Sequence, residues 1–339
     1  MTHQLRLSII FGTIILIYLF LTETFEIRHS EWGLMTIVVI FSPSKGLSVS
    51  KAIRRIFATL LGALSLIIFS YITESRWYYL LCCLSIAIAG VLCIKDSRNS
   101  YLYFVYIATI GVFGVGVKNI GFNLEFISIL MYRILIVASV SIITALIITT
   151  YDHIFKPNFE QPNIQNHSDN KVIIYLFRVI ICYILFTAWI KTSPESMHAG
   201  AGVILTILLG ITATKSQILP TIKAVLVSLI ISIIIIFLWK YLLIETTPNT
   251  IQYILIAIIY SCIMYVSMGN KKLRSILQLT LVMFPLMYNI TPNSMSSISP
   301  FIKILLIMLN DIMIFLIGCY LATKIDLMLL KMIRIKPQS

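Results

Sequence analysis

Arg133 and Lys303 place positive charge inside otherwise apolar runs, "MYRILIVASV" and "FIKILLIMLN", about 170 positions apart. A charge at the centre of a membrane-length helix costs about 2.5–3.5 kcal/mol, so its presence there points to a role. The chemistry that fits is anion binding. A guanidinium is planar and meets a carboxylate with two parallel hydrogen bonds, whereas an ammonium adds a point charge. Arg133 stands about eight residues into its run, roughly 12 Å deep at 1.5 Å per residue. The competing reading is a side chain that reaches back to the headgroups. Lys45 and Lys215 form a second pair at the same separation, preceded by Ser44 and Thr214, at the polar interruptions "FSPSKG" and "ITATKS". Ordinary cytoplasmic turns account for these lysines equally well. Asp311, in "IMLNDIMIF", is an acidic residue near the middle of an apolar run. A desolvated carboxyl can take up and release a proton near neutral pH, which makes Asp311 a proton-coupling candidate. An ion pair with Lys303, about two helical turns away, is the competing reading.

These residues need long apolar helices to hold them. Hydrophobic residues make up 59% of the 339 and charged residues 12%, with a mean hydropathy of +0.97. A soluble domain carries about 25% charge. Runs of about 18 or more apolar residues read as transmembrane helices. The pattern predicts an all-α polytopic membrane protein with about twelve spans: 6–22, 31–43, 52–72, 77–95, 99–117, 125–149, 172–190, 197–213, 219–241, 250–268, 273–290 and 300–324. The polar stretch "DHIFKPNFEQPNIQNHSDNK" has linker composition. It separates a first six-helix unit, 1–151, from a second, 172–339, through a linker over 152–171. Lys51, Arg54 and Arg55 follow span two, and Lys271, Lys272 and Arg274 follow span ten, while the opposite loops are acidic or balanced. Lys and Arg excess marks the cytoplasmic side, so both termini and the linker are expected there. The same asymmetry explains the net charge of +13 without nucleic acid.

The halves resemble each other. A slide of about 170 positions lays "MTIVVIFSPSKG" over "LTILLGITATKS", so that Thr36 meets Thr206, Ser44 meets Thr214 and Lys45 meets Lys215. The same slide puts Arg133 on Lys303. An even number of spans per half makes the two repeats parallel, related by an axis along the membrane normal. Span two has about a dozen apolar residues before Pro43, short of the ~20 needed to cross about 30 Å. Short or Gly/Pro-broken segments at matching places in two repeats point to a transport site. The expectation is that Ser42–Gly46 and Thr212–Ser216 are breaks lining a cavity open to the cytoplasm.

The run "EWGLMTIVVIFSPSKGLSVSKAIRRIFATLLGAL" resembles the signature of the fusaric-acid-resistance and aromatic-acid-exporter family. Trp32, Thr36, Pro43, Gly46, Arg54 or Arg55, Leu60, Leu61 and Gly62 occupy its places, with Ala58 where a first glycine is frequent. The resemblance covers the first half well and the second in outline, since Pro43 and Gly46 have no counterparts there. Large cytosolic domains, frequent in the family, are replaced by a short linker and tail, so the chain looks like a compact variant. The resemblance implies efflux of aromatic or other small organic carboxylates across the bacterial inner membrane. It also implies a periplasmic adaptor of the membrane-fusion type as partner. A passive organic-anion channel is the alternative, because a positive pore can simply conduct. A homo-oligomer remains open.

Enzyme signatures are missing from the sequence: no H-E-x-x-H, no G-x-S-x-G and no clustered acidic pair. No cofactor, metal site or nucleotide loop is expected. The six cysteines lie in apolar segments without a C-x-x-C pair, as buried or lipid-facing residues do.

Overall fold

The computed structural model describes residues 3–27, 31–41, 47–72, 75–96, 98–120, 124–155, 215–242, 249–270, 273–274 and 276–282, with isolated helical positions at 317, 320, 324 and 328. The regular secondary structure among the described residues is helical. In chain order it consists of α1 (His3–Thr24), α2 (Glu31–Ile40), α3 (Leu47–Ile72), α4 (Ser75–Lys95), α5 (Ser100–Ile120), α6 (Leu124–Phe155), α7 (Lys215–Leu242) and α8 (Asn249–Gly269). Among the described residues, four stretches are long and apolar enough to cross a membrane: His3–Thr24, Val49–Tyr71, Ile127–Phe155 and Thr250–Gly269. These four lie on expected spans one, three, six and ten.

Helix ends follow local chemistry. Ser75, Ser100 and Asn249 stand first in α4, α5 and α8, residue types that favour helix starts. At the end of α1, Ile27 N–H donates to the Thr22 carbonyl at 2.9 Å and Glu26 N–H to Glu23 at 3.2 Å. Glu26 takes the left-handed conformation that this closure requires, at φ 47°, where glycine is the usual occupant. The short α2 ends at Ile40, three residues before the expected end of span two.

Cα packing divides the chain into two compact units, and each draws on segments from both sides of the linker. In the first, α1 packs lengthwise along α8 and also touches α2. Its core joins Phe11, Ile15 and Tyr18 of α1, Leu34 and Ile37 of α2, Ile136, Val140 and Ile148 of α6, Ile236 of α7, and Tyr260 and Met264 of α8. Phe11 sits between Phe41, 4.8 Å away by ring centroids, and Tyr260, at 6.1 Å. Gly12 permits the α1–α8 approach: a Cβ there would meet the Ala257 carbonyl at 2.9 Å.

The second unit holds α3 from Arg54 onward, α4 and α5, and α6 as far as Tyr132. Antiparallel α4 and α5 pack closely around a turn organised by Asp96. Its carboxylate accepts from the Asn99 N–H at 3.2 Å and from Asn99 Nδ2 at 2.8 Å, with the Tyr103 hydroxyl at 3.4 Å. The hydrogen bond from the Asn99 side chain is the first cause that holds the Asp96 carboxyl below its usual range. Along α3 and α5, Arg55 Nη1 donates to the Tyr101 hydroxyl at 3.3 Å, Ser65 and Tyr106 hydroxyls lie 3.0 Å apart, and Gly62 faces Thr109.

Two boundaries differ from expectation. Helix α6 continues past 151 to Phe155, because Tyr151 and Phe155 still have packing partners. Tyr151 bonds to His3 Nδ1 at 2.9 Å, and the Arg6 guanidinium lies over the Phe155 ring at 5.2 Å. Helix α7 begins at Lys215 and runs through Pro220, so Lys215 and Ser216 belong to a first helical turn. Pro220 lies past the first turn and withdraws one N–H from the helical ladder.

Candidate functional site

Helix α6 is apolar on every side, so burial rather than polarity separates its faces. Leu130, Arg133, Ile136, Val137, Val140, Ser141, Thr144, Ala145, Ile148 and Tyr151 are buried, while Tyr132, Leu135, Ile142, Ile143 and Leu146 are exposed. The buried set recurs every three or four residues, the spacing of one helix face. The exposed set is fit for lipid.

Arg133 lies in the buried stripe with 8% of its surface exposed. Its guanidinium carbon sits 5.2 Å from the centre of the Trp32 ring, the residue after the start of α2. An arginine over an indole face is held by the ring's negative potential, worth about 0.5–2 kcal/mol according to desolvation. Thr36, wholly buried one turn further along α2, donates to the Trp32 carbonyl at 2.6 Å. The charge is therefore packed against protein, and its neighbour is an aromatic plane. Trp32 and Arg133 each stand out in the sequence, but their pairing across about 100 positions carries no periodic signal.

The other cations have different surroundings. Arg54 Nη1 donates to the Arg98 carbonyl and Arg55 to Tyr101, both in the second unit near helix starts. Lys215 opens α7. Ser44, Lys45, Thr214, Lys303 and Asp311 lie outside the described residues, as do residues 156–171 of the linker expected over 152–171. No group of three or more His, Cys, Asp or Glu able to hold a metal occurs among the described residues.

Residues 15–150 match a family model described as fusaric acid resistance protein-like. That stretch contains Trp32, Arg54, Arg55 and Arg133. No curated protein and no solved structure matches the chain.

Proposed function

We propose, for a chain whose residues 15–150 match a family model described as fusaric acid resistance protein-like, that it exports small organic carboxylates, aromatic ones in particular, across a bacterial inner membrane. The observation that carries this reading is Arg133, buried within a membrane-length helix against the face of Trp32. A fixed guanidinium in a low-dielectric setting attracts a carboxylate far more strongly than one in water does. An aromatic plane beside it favours a substrate that carries a ring as well as a negative charge. Lys303 would supply the matching cation from the second repeat, and Lys45, Lys215, Ser44 and Thr214 would line the cytoplasmic approach. Asp311 would couple export to protons, with a membrane-fusion adaptor receiving the substrate in the periplasm.

The test uses the full chain in proteoliposomes loaded with benzoate. Efflux that accelerates with an imposed pH gradient, and collapses in Arg133→Ala, supports the reading. Benzoate current without proton movement replaces the exporter with a passive channel. No benzoate flux in either assay overturns both.

A further inference from the structure

Serine and threonine hydroxyls in the described helices mostly turn back on their own backbone. On α6, Ser139 donates to the Leu135 carbonyl at 2.8 Å and Thr149 to Ala145 at 2.7 Å. Thr109 on α5, Ser228 on α7 and Ser267 on α8 make the same closure. Such back-bonding is the ordinary way to satisfy a hydroxyl in apolar surroundings. Ser141 and Thr144 depart from it. Both are 0% exposed, and neither hydroxyl has a hydrogen-bond partner among the described residues. Because Ser139 and Thr149 show that α6 accepts back-bonds, the departure belongs to these two positions and not to the helix.

Their placement is informative. Residues three apart on a helix are neighbours on one face, with Cβ atoms about 5–6 Å apart. Both lie in the buried stripe that carries Arg133, and residue 141 is the midpoint of the crossing segment Ile127–Phe155. Arg133 is eight residues earlier, about 12 Å along the axis. On α7, Ser232 is likewise wholly buried and unbonded, one turn before Ile236, which shares a core cluster with Val140 and Ile148.

We propose that the Ser141 and Thr144 hydroxyls form a second anion station, donating to the carboxylate oxygens of the transported molecule at the middle of α6. This inference rests on the anion-export reading above. Two hydroxyls suit a resting place in transit, because they donate hydrogen bonds without a fixed charge, and conduction needs sites that release as well as bind. The positive charge of Arg133 on the same stripe opposes a metal cation there and favours an anion. A buried hydroxyl left unpaired in the empty protein costs stability; that cost is offset when the carboxylate arrives.

The experiment measures benzoate transport and thermal unfolding of the full chain in parallel. In Ser141→Ala/Thr144→Val, the KM for benzoate rises about tenfold, the scale of hydrogen bonds to a charged group. The melting temperature stays at or above that of the unaltered protein. Thr144→Ser, which keeps the hydroxyl, retains a near-normal KM. An unchanged KM in the double variant overturns the station, as does an equal rise in Thr144→Ser and Thr144→Val, which would assign the effect to shape. A double variant that melts lower and is inactive overturns it too, by making the hydroxyls structural. Absence of benzoate transport by the unaltered protein removes the export reading and the station together, whereas an active protein with indifferent variants removes the station alone.

Discussion

The two compact units solve the same problem, a buried or half-buried arginine, in opposite ways. Arg54 and Arg55 sit about two turns into α3 and donate to the Arg98 carbonyl and the Tyr101 hydroxyl, groups near the ends of neighbouring helices. Such partners come with a turn between helices, whose carbonyls stand outside the helical ladder and whose flanking side chains are at hand. An arginine there ties elements together at little cost. Arg133 lies inside a segment long enough to cross the membrane and meets the flat face of Trp32. Nothing about building a helical bundle requires a cation at that depth. The contrast separates charge tied to helix ends from charge held deep in a membrane-length helix, where the proposed export would use it.

The largest expected effect tests that contrast directly. Arg133→Ala lowers kcat/KM for benzoate by about 10- to 100-fold, the scale of lost charge-assisted hydrogen bonds. Arg54→Ala and Arg55→Ala instead lower the melting temperature and leave transport per folded molecule within about threefold, the scale of an exposed charge contact. A reversed ranking in the proteoliposome assay would erase the distinction between the units. Next in size is Trp32→Ala, which raises the KM about 2- to 30-fold if the ring holds the guanidinium with 0.5–2 kcal/mol. Trp32→Phe has a smaller effect because its face is less negative, and equal effects of the two would point to packing alone. Third come the tight helix contacts. Gly12→Ala drives a methyl toward the Ala257 carbonyl, and Gly62→Ala drives one to 2.8 Å from the Thr109 side chain. Each should cost about 1–3 kcal/mol of overpacking in a denaturant or thermal series. Gly12→Ala should be the costlier, since besides the Ser261 hydroxyl it meets a backbone carbonyl that cannot rotate away.

Much of this was legible in the sequence, for a physical reason. A membrane helix must satisfy every backbone group internally and therefore announces itself by an apolar run of fixed length. The expected spans one, three, four, five, six, nine and ten accordingly find α1, α3, α4, α5, α6, α7 and α8, with edges differing by a few residues. The largest discrepancy, the end of α6, arose because Asp152 and His153 look like linker, whereas Tyr151 and Phe155 are still anchored by His3 and Arg6. Arg133 was conspicuous because charge in an apolar run is expensive. Its pairing with Trp32 was not, since an all-apolar helix gives no clue to which face meets which neighbour. The packing of α1 along α8, across the linker, was hidden for the same reason. So were Ser141 and Thr144, which differ from other helical hydroxyls only in where the oxygen points.

The smallest expected effect concerns the turn of the second unit, where charge is paired in the open. Asp96 accepts from Asn99 twice, and those bonds favour its ionised form. A carboxyl whose folded pKa lies below its unfolded value binds fewer protons in the folded state. Its contribution is therefore fully present above the unfolded pKa and lost as pH falls through the folded one. Asp96→Ala should melt slightly below the unaltered protein at pH 7, and the gap should close as the pH is lowered through and beneath the usual carboxylate range. Arg133→Ala should show no such convergence, because a guanidinium keeps its charge throughout. If the Asp96 gap persisted unchanged in acid, the turn would owe its shape to backbone bonds such as Asn99 N–H to the Asp96 carbonyl at 3.1 Å, and the carboxylate would be incidental.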